Sequence, residues 1–217
     1  MILAVGITTT PQRPVPEYQS DYLTMIHNDY EGIGVSRSRN NLIKTLYDAG
    51  ADYICIMDDD VRILRKGWFE YAVKVMQKYN VHFVGLPNNF TSKVEHSASE
   101  IIYWSDLIGA FHIFSRAFVE QVGYFNTAYD RYGFEDSEMQ YRARKSGMTG
   151  ILSGLPCPLR LPFYLMSEDV YGTTASQTLS FEEKQMYIEK NRPLFIAAVM
   201  QIDAGRLYWG YNGENRP

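Results

Sequence analysis

The chain has 217 residues, 46% of them hydrophobic and 21% charged, a balance that permits a buried core and excludes a disordered or collagen-like chain. Its 21 basic residues stand against 25 acidic ones, a formal net charge of −4, so the overall balance gives no support for a phosphate-neutralising nucleic-acid footprint. The longest apolar run, Leu194–Met200, has seven residues, against the ~20 that a membrane-spanning helix needs.

In chain order, Ile2–Thr8 reads as a continuous apolar first strand rather than a secretory leader, since no basic start or cleavage site accompanies it. Pro11, Pro14 and Pro16 mark a loop, and Tyr22–His27 a second strand. Gly32 and Gly34 form a turn, and Ser36 is expected to cap a helix to about Ala49 with Leu42 and Leu46 on one face. Tyr53–Met57 is a short buried strand running into Asp58-Asp59-Asp60. Gly67 opens a helix carrying Phe69, Ala72, Met76 and Tyr79 at spacings of three and four, and His82–Leu86 is the next strand. Strands alternating with helices predict an α/β fold with a mixed, mostly parallel sheet flanked by helices.

The second half changes character. Asn88–Glu100 reads as a loop, Ile101–Trp104 and Ala110–Phe114 as strands, and Ser115–Val122 as a helix. A Gly-Phe-Glu-Asp turn leads into a helix ending near Gly147, prolines at 156, 158 and 162 interrupt the next stretch, and Phe181–Asn191 forms the last helix. No repeat or linker divides the chain, so residues 1–217 are expected to form one domain. With only Cys55 and Cys157, no disulfide framework is available, and a reducing, cytoplasmic setting is expected. The 17 tyrosines supply flat faces for core packing or for stacking sugars and bases.

Three clusters carry chemistry. In extended backbone, residues two apart face the same way, so Asp58 and Asp60 are expected to converge at a strand end, where open α/β sheets bind ligands. Adjacent carboxylates repel unless a cation compensates, and hard oxygen ligands favour Mg2+ or Mn2+. Glu135 and Asp136 open a helix, whose dipole should lower a carboxylate's pKa there. Arg37 and Arg39 lie at another helix start, able to hold a diphosphate or simply to cover an exposed face.

The ordered set Thr-Thr-Pro-Gln-Arg-Pro, Ser-Arg-Asn, Ile-Met-Asp-Asp-Asp, Gly-Ala-Phe-His-Ile-Phe-Ser-Arg and Gly-Phe-Glu-Asp-Ser-Glu resembles the inverting, metal-dependent glycosyltransferases of the GT-A fold, especially glycosyltransferase family 2, over about Ile2–Gly147. The resemblance implies a single GT-A-type, Rossmann-like domain. About 1–100 would form a nucleotide-sugar-binding half, and about 101–217 an acceptor-binding and catalytic half. It implies that Asp58 and Asp60 match an Asp-x-Asp motif, Asp58 approaching the donor and both serving a Mn2+ or Mg2+ ion. Thr9, Arg13, Asp29 and Arg39 fall at donor-contacting positions. Asp136 matches the catalytic base and Glu135 its acidic neighbour, while Trp104 and Gly109–Ala110 would border the acceptor. The late histidine of many relatives is missing after the Glu-Asp pair, leaving Met166, Glu168 or Asp169 as substitutes, and His112 reads as a satisfied core residue.

The implied reaction moves a sugar, from a UDP-linked donor in the first instance, to an acceptor hydroxyl with inversion. The acceptor stays open: a glycan, a lipid-linked glycan, a protein, or a hydroxymethylated base of viral DNA, in which case Arg62, Arg65 and Lys66 could meet a backbone phosphate. Two alternatives remain at this level. One is a haloacid-dehalogenase-type phosphatase with Asp58 as nucleophile and Asp60 as acid/base; the other is a nucleotide-sugar-binding module without turnover.

Overall fold

In the computed structural model, residues 1–11, 13, 21–87, 91–129, 131–167 and 179–213 are described. The elements run β1 (Leu3–Thr9), β2 (Leu23–Asn28), α1 (Val35–Asp48), β3 (Tyr53–Asp58), β4 (Val61–Ile63), α2 (Trp68–Tyr79) and β5 (Phe83–Gly85). There follow β6 (Val94–Ser97), β7 (Ile101–Trp104), β8 (Phe111–Ser115), α3 (Arg116–Gln121), α4 (Glu135–Lys145), β9 (Leu155–Pro158), β10 (Leu165–Ser167) and α5 (Phe181–Asp203).

The central sheet has the order β2-β1-β3-β8-β5. β1 pairs in parallel with both β2 and β3, while β8 is antiparallel to β3 and β5. Four strands therefore share one direction and β8 is the exception, a mixed and mostly parallel α/β sheet. Alternate side chains feed two cores. Val5, Ile7, Cys55, Met57, Phe111 and Ile113 pack with Trp68, Phe69, Val73 and Met76 of α2. Ala4, Ile54, Ile56 and Phe114 pack with Leu42, Ile43 and Leu46 of α1, Phe118 of α3 and Met139 of α4. Gly6 lets α1 approach this closely: a Cβ there would lie 2.8 Å from Ile56 Cδ1 and 3.0 Å from Leu42 Cβ.

Several expectations shift. α1 starts at Val35 with Gly34 as its N-cap and no side-chain cap, so Ser36 is the second helical residue and does not cap it. The capping serines are instead Ser115 before α3, whose hydroxyl accepts the Phe118 N–H, and Ser180 before α5, whose hydroxyl accepts the Glu183 N–H. The stretch read as a loop holds β6, which pairs with β7. The prolines of β9 are accommodated because β9 is an edge strand of the sheet β6-β7-β9, where alternate positions need no ladder N–H on the open side. α5 continues past Asn191 and through Pro193 to Asp203. An internal proline costs about 3 kcal/mol, and here packing beyond it opposes that cost: Phe195 stacks on Phe134 at 4.7 Å, and Ala198 and Ile202 are buried. Among the described residues, no helix is long and apolar enough to cross a membrane.

Candidate active site

The carboxyl ends of β1 and β3 and the segments before α1 and α5 enclose a cleft whose lining includes Thr8, Thr9, Arg13, Asp29, Asp58 and Asp59. β1 and β3 are in parallel register with Thr8 opposite Asp58, so the Thr8 hydroxyl donates to Asp58 Oδ1 at 2.7 Å. One residue on, the Thr9 hydroxyl donates to Asp59 Oδ2 at 2.6 Å, and Arg13 pairs with the other oxygen of the same carboxylate. Asp29 accepts the backbone N–H groups of Ile33 (2.7 Å) and Gly34 (3.0 Å), fixing the entry to α1.

The acidic triplet is not extended. β3 ends at Asp58, and Asp59 and Asp60 form the turn into β4. Strand alternation therefore stops one residue too early to bring Asp60 round to the face of Asp58. It is Asp59 that joins Asp58 in lining the cleft, while Asp60 is 7% exposed and lies outside that lining. Carboxylate oxygens suit a hard divalent cation in kind. Among the described residues no three metal-ligating side chains converge. Glu168 and Asp169 lie outside the described residues, as does the side chain of Met166.

Arg39 does not sit on an exposed helix face. It is 3% exposed, and its guanidinium donates from Nη1 to Asp136 Oδ1 at 2.7 Å and from Nη2 to Asp58 Oδ1 and Oδ2 at 3.1 and 3.3 Å. Burial opposes its charge, but Asp136, Asp58 and Glu135 together outweigh burial and hold it protonated beyond its ordinary range. One arginine thus ties the end of β3 to the start of α4, whose Asp136 lies 97 residues beyond Arg39 in the chain. Its neighbour Asn40 exchanges hydrogen bonds with the backbone N–H and carbonyl of Phe125, both 2.9 Å, which anchors α1 behind the cluster.

Phe134, in left-handed backbone at φ 76°, precedes α4, and Glu135 and Asp136 are its first two residues. Asp136 lies directly against Gly109: a Cβ at that glycine would fall 1.9 Å from Asp136 Oδ2. Gln140, one turn further along α4, accepts the Leu107 N–H at 3.2 Å and donates to its carbonyl at 2.8 Å, holding the segment that carries Gly109. His112 is fully buried with neither ring nitrogen hydrogen-bonded among the described residues. It is a core residue but not a satisfied one, and its Nδ1 stands 3.9 Å from Asp136 Oδ1. Burial pushes its pKa down to about 4, so it is neutral at pH 7.

The first-turn position does not depress the Glu135 carboxyl. At 6% exposure, burial first and the adjacent Asp136 charge second push it up to about 8, against the pull of Arg39. The folded chain therefore keeps a proton that the unfolded chain, with an ordinary value of 4.5, has lost. Unfolding releases that proton between these limits, so stability should fall as pH rises from about 4.5 to 8. In Glu135→Gln this slope disappears. The variant's melting temperature should gain on wild type across that window and level off above it; parallel profiles from pH 4 to 9 would contradict the burial of this carboxyl.

Sequence reasoning did not single out Thr8, Asp59, Gln140 or Lys184, which reaches the cleft from α5. Only Thr8 and Asp59 carried a signal, as neighbours of the motif residues; Gln140 and Lys184 are polar residues on helices with nothing local to mark them.

Carboxylates and hydroxyls at the carboxyl ends of parallel strands, beside a helix entry, place the cleft where α/β proteins of the open-sheet class bind ligands. Within that class, residues 89–168 match the family model for the N-terminal domain of galactosyltransferase, a span that contains Gly109, Glu135 and Asp136. The chain is 26% identical over 192 residues to an uncharacterised glycosyltransferase of Acanthamoeba polyphaga mimivirus, covering 84% of this chain and 74% of the relative. Among solved structures, it is similar to the mannosyltransferase PcManGT of Pyrobaculum calidifontis in complex with GDP-Man and Mn2+ (16% identity, 72% of this chain and 55% of that one, TM-score 0.47). It is also similar to a Drosophila β-1,4-galactosyltransferase 7 mutant in complex with manganese, UDP-Gal and xylobiose (12% identity, 86% and 79%, TM-score 0.43). The resemblance to glycosyltransferases read from the motifs is borne out by the family-model match and by the mimivirus relative.

Proposed function

We propose that this protein transfers a sugar from a nucleoside diphosphate donor, UDP-linked in the first instance, to an acceptor hydroxyl with inversion at the anomeric carbon. The observation that carries the reading is the Arg39 guanidinium bridging Asp58 and Asp136. It joins a strand-end carboxylate of the cleft to a carboxylate on a separate helix, so one site carries both a donor-side group and a group able to take a proton from an acceptor.

In this reading Thr9, Arg13 and Asp29 shape the nucleotide end of the cleft, Lys184 meets diphosphate charge, and Asp58, held by Arg39, approaches the donor. Asp58, the strand-end carboxylate that lines the cleft, would hold a Mn2+ or Mg2+ ion, which would supply Lewis-acid stabilisation of the leaving diphosphate. Asp136 is the base. An acceptor hydroxyl is a weak nucleophile at neutral pH, and a carboxylate within reach of its proton assists attack. Arg39 orients that carboxylate, and the missing side chain of Gly109 is what lets it lie against the backbone there. Glu135, protonated at pH 7, can donate a hydrogen bond to the acceptor while adding no second negative charge next to Asp136.

The test is metal-dependent donor binding. UDP with Mn2+ should raise the melting temperature of wild type, and Asp58→Ala should abolish that gain while keeping a cooperative melt. Unchanged stabilisation by UDP after chelation would remove the metal-holding role from Asp58.

A further inference from the structure

A second groove lies outside the cleft, lined by Arg65, Arg160, Phe163 and Tyr164. Two distant parts of the chain build it. β4 pairs with β10 in antiparallel register, and the Leu64 N–H donates to the Tyr164 carbonyl at 2.7 Å, so Arg65 emerges beside the turn at 161–163. That turn is pinned to α2: Tyr164 stacks on Tyr71 at 5.6 Å with planes 9° apart, and the Arg160 N–H donates to the Tyr71 hydroxyl at 3.1 Å. The backbones under both arginines are therefore fixed, while Phe163 keeps 67% of its surface open.

The charge here runs against the rest of the molecule. Residues 61–67 hold Arg62, Arg65 and Lys66 with no acid, and residues 159–165 add Arg160 with none, in a chain of net charge −4. Neither the Arg65 nor the Arg160 guanidinium makes a hydrogen bond or ion pair among the described residues. Glu100 feels Arg160, but its hydrogen-bonded partner is Lys78. Like charges held together on fixed backbone repel unless an anion joins them, and guanidinium forks match phosphate oxygens in geometry.

We propose that this groove is a subsite for a phosphate carried on a sugar of the acceptor, with Arg65 and Arg160 taking the phosphate oxygens and the open face of Phe163 taking the adjoining ring. The proposal rests on the sugar-transfer reading and names its acceptor class: a phosphorylated glycan. Arg65 follows Asp58 of the cleft by seven residues, which confines its Cα to within about 25 Å of the Asp58 Cα, within the reach of a short oligosaccharide. Two arginines converging on one groove suit one phosphate. A nucleic-acid strand would bring a row of phosphates to a chain that is acidic overall.

Binding of glucose 6-phosphate, glucose, inorganic phosphate and a ten-residue oligothymidylate, measured by titration calorimetry with UDP present, tests this. Wild type should bind glucose 6-phosphate at least tenfold more tightly than glucose, with an affinity that falls as salt rises. Arg65→Ala/Arg160→Ala should lose that advantage while its melting temperature and UDP binding stay as in wild type. Phe163→Ala should weaken glucose 6-phosphate and leave inorganic phosphate unaffected. Equal binding of glucose and its phosphate, or an unchanged double variant, overturns the proposal. Tighter binding of the oligothymidylate through the same two arginines overturns it in favour of a nucleic-acid acceptor. Failure of wild type to bind UDP counts against sugar transfer itself, and is read separately from the discrimination between glucose and its phosphate.

Discussion

Asp136→Asn should lower kcat by roughly 10²–10⁴ while donor affinity changes no more than a few fold. The substitution keeps the shape and an oxygen that can still accept from Arg39 Nη1, now 2.7 Å away, and it adds no atom toward Gly109. What it removes is the capacity to take a proton from an attacking hydroxyl. A base is required only when the acceptor attacks, so the loss belongs in turnover and not in ground-state binding. Donor affinity is set elsewhere, by the cleft of Thr8, Thr9, Arg13, Asp58 and Asp59. Single-turnover transfer with saturating donor, alongside UDP titration, separates the two. Glu135→Gln is the control: as an acceptor-positioning neighbour it should raise acceptor KM as well as lower rate. Transfer by Asp136→Asn at near wild-type rate would leave Asp136 as a partner of Arg39 only, with Glu135 next in line as base.

Arg142→Met should destabilise the protein by about 3–5 kcal/mol, the usual cost of leaving a buried charge without its partner. Arg142 and Glu138 are both fully buried one turn apart on α4, joined by bonds of 2.7 and 2.9 Å. The same guanidinium donates to the carbonyls of Val122 and Tyr124 at 2.6 and 2.7 Å. It therefore fastens the helix that carries Glu135 and Asp136 to the segment after α3. Adding Glu138→Leu removes the stranded carboxylate and should recover part of the loss. Recovery stays incomplete because the Tyr124 carbonyl then loses its donor, at about 1–3 kcal/mol when buried, whereas the Val122 carbonyl still accepts the Trp209 N–H at 3.1 Å. Urea unfolding of wild type and both variants measures this. A loss under about 1 kcal/mol for Arg142→Met would mean that water reaches the pair.

The elements that the sequence made legible are those encoded by near neighbours. Spacings of three and four placed α1 and α2, apolar runs placed β1, β3 and β8, and the Gly-Phe turn placed the start of α4 within a residue. Asp58 at a strand end and Glu135–Asp136 at a helix start were legible for the same reason, since each position depends on only a few adjacent residues. Periodicity cannot report strand direction, so the antiparallel insertion of β8 between β3 and β5 emerged only with the sheet. Nor can it report packing beyond a proline, which is why α5 runs on through Pro193 to stack Phe195 on Phe134.

Within the site, residue types came from the sequence, and their partners came from the tertiary structure. Asp59 took the cleft position expected of Asp60 because β3 ends at Asp58 and the chain turns into β4. Arg39 became a buried bridge because α1 lies against the ends of both β3 and α4. Glu135 rose to about 8 where its helix position alone would have lowered it. Desolvation depends on everything packed around a group, so no local pattern can encode it. The chain itself determined which carboxylates, arginines and glycines were available and on which elements they ride. Which carboxylate faces which cation, and in which protonation state, was decided by burial and by contacts between residues 19 to 97 positions apart, because those energies exist only once the distant segments have met.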